Sequence, residues 1–94
     1  MIPALSPIQP GEILQGRYID FKKHLLDGET VESATVTSSV PGMVLPDSVQ
    51  FSGTVVTWAA VGTVDGDKTV FTAIATGSLG SVREGEVSMK VKAI

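Results

Sequence analysis

The sequence predicts an all-β fold: an immunoglobulin-like antiparallel β-sandwich of about seven short strands behind an extended N-terminal arm. Three observations carry that expectation. The chain has 94 residues, enough for one domain and too few for two. Runs rich in β-branched residues alternate with Gly, Pro and Asp turns at spacings of roughly 8–12 residues, the texture of a small sandwich. The last run, Glu86-Val87-Ser88-Met89-Lys90-Val91-Lys92-Ala93, alternates apolar and polar without fault, as a half-buried antiparallel strand does. A small open barrel is the competing architecture.

Taken in order, residues 1–16 differ in character from the rest. Pro3, Pro7 and Pro10, with Gly11 and Gly16, forbid a continuous helix and remove ladder donors. Between them stand Ile2, Leu5, Ile8, Ile13 and Leu14, residues in which a disordered tail is depleted. Residues 1–16 therefore read as an extended arm lying along its own domain or a neighbour, with those five as candidate partner contacts and 17–94 as the folded domain. Such an arm is expected to be removable without unfolding the domain.

Residues 17–21 make a short strand, and 22–26 a helical turn closed by Asp27-Gly28, a strong turn dipeptide. Residues 29–37 form a strand in which Val31 and Val36 differ in parity, which predicts a bulge or burial on both faces. Pro41-Gly42 turns the chain into two short runs, 43–45 and 48–51, parted by Pro46-Asp47. Residues 54–61 are the most apolar stretch and have the length of one strand. Asp65-Gly66-Asp67 is a loop, 68–76 a further β-branched strand, and 77–80 a flexible turn before the terminal strand. Trp58, Phe71, Val87, Met89 and Val91 are the expected core, with mid-strand Trp58 as its anchor.

Composition narrows function. Seven Lys and Arg stand against ten Asp and Glu, for a formal net charge of −3 and a pI near 4.9. The cations are scattered, so the chain lacks the basic surface a nucleic-acid binder uses to neutralise phosphates. Without cysteine there is neither a disulfide framework nor a thiolate metal site. No apolar run approaches the roughly 20 residues that span a bilayer. The start, with Met1 and no basic segment before an apolar one, lacks the pattern of a signal peptide, and a chain made in the cytoplasm is expected.

Candidate chemistry is sparse. His24 is the lone histidine, so any nucleophilic triad has to use it, with Asp20 or Asp27 as the nearest acids. In a Lys-Lys-His-Leu-Leu turn a solvated surface residue is the simpler reading, and one His cannot anchor a zinc site. Asp65-Gly66-Asp67 resembles the start of a calcium loop, but the ligand pattern and the bidentate Glu of an EF-hand do not follow, so a hairpin turn is preferred. Gly77, Gly80 and Gly85 are not spaced as a phosphate-binding loop. Glu84 and Glu86 share a strand face, as two acids on a solvated surface ordinarily do. No catalytic residue, metal site or cofactor is expected.

Three stretches resemble a family of small phage proteins, the fiber–tail adaptor or Ig-like virion proteins. The first is Tyr18-Ile19-Asp20-Phe21, then Leu25 or Leu26, Gly28-Glu29-Thr30-Val31 and Ser33 through Thr35-Val36-Thr37. The second is Val55-Val56-Thr57-Trp58 with Gly62. The third is Thr72, Ile74 and Thr76, then Gly80, Arg83 and the alternating strand to Val91. The likeness spans roughly residues 17–92 and consists of strand and turn patterns. It departs at Ala59-Ala60, where Leu-Ser is usual, at Gly80-Ser81, where Gly-Arg is, and in the arm. The resemblance implies a non-enzymatic virion structural protein, a tail fiber adaptor joining tail or neck to fibres, present in several copies and contacting other virion proteins (nozzle, adaptor, fiber or portal). A capsid head decoration protein, or an Ig-like carbohydrate- or adhesion-binding module, is the alternative.

Overall fold

The computed structural model describes residues 3–93. Six strands form among them: β1 (Ile13–Asp20), β2 (Val31–Ser38), β3 (Gln50–Ser52), β4 (Val55–Val61), β5 (Lys68–Gly77) and β6 (Val82–Lys90). A single 3-10 turn, Lys22–His24, follows β1. The strands make two three-stranded antiparallel sheets, in the orders β1-β4-β3 and β2-β5-β6. The sheets pack face to face as an immunoglobulin-like β-sandwich. The shortest dimension of the molecule, 18 Å, fits two layers about 10 Å apart with their outward side chains.

The expected seventh strand, at 43–45, is only a bridge between Val44 and Ala60. Val61 N–H donates to the Met43 carbonyl (2.9 Å) and Leu45 N–H to that of Ala59 (2.9 Å), so the segment lies beside β4 as a strand does. Pro41-Gly42 and Pro46-Asp47 confine it to three residues, and Asp47 itself takes a positive φ of 61°, which ends the ladder. The terminal strand differs in the other direction. It begins at Val82, because the Gly77–Ser81 hairpin (Gly77 N–H to the Ser81 carbonyl, 2.7 Å) delivers β6 in register with β5 from its first residue.

Between the sheets, Val56, Trp58 and Ala60 of β4 face Phe71, Ala73 and Ala75 of β5, and Val87 and Met89 of β6 complete the floor. The Trp58 and Phe71 ring centroids are 5.4 Å apart with planes tilted by 53°, a geometry that sets ring edge against ring face. The alternation of the terminal strand accounts for Val87, Met89 and Val91 in this core. Ala93, beyond the ladder, is exposed.

The arm is part of the sandwich. Leu5 N–H donates to the Ser88 carbonyl (2.7 Å), Ser88 N–H to that of Pro3 (2.9 Å), Ile8 N–H to that of Lys90 (3.0 Å) and Lys92 N–H to that of Ile8 (2.8 Å). Residues 3–8 thus run parallel to the outer edge of β6 and the residues after it, in two isolated bridges, Ala4 with Ser88 and Ile8 with Val91. The prolines are compatible with this because Leu5 and Ile8, which keep their N–H groups, do the donating. Ile8 is fully buried with Trp58, Met89 and Val91. After it the chain turns over Gly62, whose N–H and carbonyl bond Glu12 and Gly11 (2.8 and 3.0 Å). A Cβ on Gly62 would collide with the Gln9 carbonyl.

These contacts correct the arm boundary and the roles given to its apolar residues. β1 begins at Ile13, so Ile13 and Leu14 belong to the sandwich. Ile8 is buried in the chain's own core, and Leu5 and Leu14 pack half-buried against it, so the arm lies along its own domain, one of the two placements expected for it. The physical reason is that β6 has an unpaired edge and an apolar flank, and the arm satisfies both. Of the five arm residues, Ile13 alone is seen exposed, at 52%; Ile2 lies outside the described residues.

Candidate functional site

On one side of the sandwich β1 and β6 are both sheet edges, and the described residues of the arm bond only the second half of β6. The uncovered half faces a groove of about 490 Å³. Tyr18, Asp20 and Phe21 line one wall, and Val82, Glu84 and Glu86 the other, with Pro3 at the end where the arm begins.

Backbone geometry makes this groove more than a gap. Ser88 uses both its N–H and its carbonyl toward the arm. In a strand these groups point to the same side at every second residue, and the β5–β6 register runs without a shift. The edge-facing groups of Val82, Glu84 and Glu86 therefore point into the groove. Beside Glu86, Pro3 has no N–H to offer its carbonyl. No described residue bonds the edge groups of Val82 and Glu84.

The floor is apolar. A Cβ on Gly85 would stand 3.2 Å from Ile19 Cγ2 and 3.3 Å from Phe21 Cζ, so a glycine here lets β1 and its following turn close over β6. Tyr18 and Val82 remain 61% and 64% exposed at the rim. Three carboxylates, Asp20, Glu84 and Glu86, stand against one guanidinium, that of Arg83. Arg83 Nε donates to the His24 carbonyl (2.7 Å), tying the 3-10 turn to β6. Asp20 Oδ1 accepts the Thr54 hydroxyl (2.7 Å) and the Lys22 N–H (2.9 Å). Those bonds, the hydroxyl first, hold its carboxyl below the usual range.

The residues weighed for chemistry take structural places. His24 is exposed in the 3-10 turn, and its ring bonds no acid among the described residues; Asp20 is engaged by Thr54 and Lys22. The Asp65-Gly66-Asp67 acids close a turn: Asp67 Oδ2 accepts the Thr63 hydroxyl (2.7 Å), and Asp65 Oδ1 the Ala93 N–H (3.0 Å). No cluster of three His, Cys, Asp or Glu able to hold a metal occurs among the described residues. Glu84 and Glu86 face solvent beside the groove, and Gly77 and Gly80 shape the β5–β6 hairpin.

One polar residue escaped the sequence reading, which took Glu29 as the first residue of a strand. It precedes β2, is 3% exposed, and reaches some fifty positions along the chain. Oε2 accepts the N–H groups of Leu79 (2.9 Å) and Ser81 (3.1 Å), and Oε1 that of Leu26 (3.0 Å). Burial pushes its pKa up, but these bonds outweigh burial and hold it at about 2. A Cβ on Gly77 would collide with this carboxylate, which is why the hairpin starts on glycine. No local signal distinguishes such an acid from a solvated one.

No protein-family model matches the chain, and no curated protein matches it. Among solved structures it is similar to the crystal structure of the 2,6-sialyltransferase of Vibrionaceae Photobacterium sp. JT-ISH-224 in a ternary complex with the donor product CMP and the acceptor substrate lactose. The TM-score is 0.60 at 14% sequence identity, over 98% of this chain and 18% of that one. At this identity the likeness is one of fold, and the chain spans less than a fifth of that enzyme's length.

Proposed function

We propose that this chain is a non-catalytic docking module of a bacteriophage particle, a tail fiber adaptor that joins tail or neck to fibres, with head decoration as the near alternative. The observation that carries the docking part is the half-covered edge of β6. The arm bonds this edge through its backbone, and the other half presents backbone that no described residue pairs, beside the side chains of Ile19 and Phe21. Proteins join through such edges by strand addition. The particle part is supported by the strand and turn patterns of residues 17–92, which resemble the fiber–tail adaptor or Ig-like virion proteins. In this reading the partners are other virion proteins, the assembly is multi-copy, and no cofactor, nucleic acid or membrane takes part.

Mass spectrometry of gradient-purified particles tests the assignment. The chain is expected to co-sediment at a fixed stoichiometry with tail and fibre proteins. Its absence from intact particles would sink the phage reading, and a fixed ratio to capsid protein alone would move it to the head.

The fold shared with part of a sialyltransferase crystallised with lactose supports a second reading, an Ig-like module that binds carbohydrate. The exposed aromatics weigh against it. Tyr18 lies in the row Tyr18, Thr57, Gln50 and Phe51 in the next row with Val56 and Ile19, so the two rings belong to opposite faces of the sheet and form no stacking platform. Binding to a glycan array that Tyr18→Ala abolishes would favour this second reading.

A further inference from the structure

We infer that the half of the β6 edge left unpaired among the described residues, Val82 to Glu86, is a docking site for an extended segment of another protein in which apolar and basic residues alternate. The inference rests on the docking reading above but not on the particle. Three observations lead to it. The edge groups of Val82 and Glu84 meet no described residue, and they continue the line on which the arm already adds to Ser88, Lys90 and Lys92. A strand laid there turns alternate side chains to opposite faces. One set falls over the floor made by Ile19, Phe21 and Gly85, which calls for apolar residues. The other set lies beside Glu84 and Glu86, which calls for Lys or Arg.

The same charges argue against a second copy of this chain as the occupant. Two β6 edges brought together would set Glu84 and Glu86 against their own counterparts, and like charges opposite each other on an edge oppose pairing. The acids therefore guard the edge against self-association and leave it open to a basic strand.

Amide hydrogen exchange of the full chain, with a capped peptide of alternating valine and lysine as the probe, reads the site directly. The Val82 and Glu84 amides are expected to slow by about tenfold or more on peptide binding, while that of Ser88, already bonded to the arm, does not change. Added salt should weaken the effect, and the same peptide with glutamate for lysine should give none. Glu84→Pro removes one free donor without touching the β5 ladder, and should weaken binding by about tenfold. The double variant Glu84→Lys, Glu86→Lys should exchange the preference for the lysine peptide for one for the glutamate peptide, which keeps the test decisive if proline disturbs the strand. Equal protection by both peptides, or none at Val82 and Glu84, overturns the inference. Absence of the chain from phage particles would remove the particle reading and leave this result standing.

Discussion

Two of the long-range closures in this sandwich differ in kind. At one, the arm closes the covered half of β6 by burying Ile8 among Trp58, Met89 and Val91. At the other, Glu29 closes the β5–β6 hairpin by accepting three N–H groups on one carboxylate. The first depends on removing apolar area from water and should respond to side-chain volume and little to pH. The second depends on a charge kept ionised by its donors and should fail when that charge is neutralised. A small domain without disulfides thus uses one closure of each kind to fix segments that its short strands cannot.

The largest effect should come from the arm. Deleting residues 1–14 removes Ile8 from the core and the first two residues of β1, and circular dichroism should show loss of cooperative unfolding. A truncated chain that melts like the full one would mean that the arm is an appendage after all. Ile8→Ala should cost about 2–5 kcal/mol, as large-to-small changes at buried aliphatic sites do, measured as a fall in the urea midpoint. A cost within about 0.5 kcal/mol, typical of surface sites, would contradict the burial.

Gly62→Ala sharpens the comparison without changing Ile8. Its Cβ meets the Gln9 carbonyl, backbone that cannot swing aside, and about 1–3 kcal/mol is expected from such overpacking. Exchange at the Ser88 and Lys92 amides, which bond the arm, should accelerate while the hairpin amides do not.

The Glu29 closure should give a smaller, local effect with a defined pH window. Its folded pKa, about 2, lies below the ordinary 4.5. The unfolded chain therefore binds the proton more readily, and the stabilisation is complete above about pH 4.5 and lost as pH falls toward 2. Glu29→Gln should flatten that acid limb and speed exchange at Leu79 and Ser81, leaving the arm amides alone. An unchanged acid limb would assign the acid sensitivity to other carboxylates.

How much of this was legible in the sequence varies by element. The apolar run that forms β4 follows from its apolarity and length, and the alternation that puts Val87, Met89 and Val91 inside follows from side-chain period. The start of β6 did not, since Arg83, Glu84 and Gly85 break the apolar pattern and are strand only because the hairpin pairs them with β5. The burial of Ile8 was hidden for a similar reason: an isolated isoleucine between prolines has no periodicity, and its partners lie fifty or more residues away. The groove had no local signal either, because it is made of two edges that belong to different sheets.

The sequence by itself determined the class of fold, most of the turn positions and the negative net charge, because propensity, period and charge are local or summed properties. Only the tertiary structure decided that Ile8 of the arm is core, that Glu29 is a buried anion and that half of the β6 edge meets no described residue. Each of these depends on which distant segment meets an unpaired edge or orphan N–H group, and that follows from packing in three dimensions.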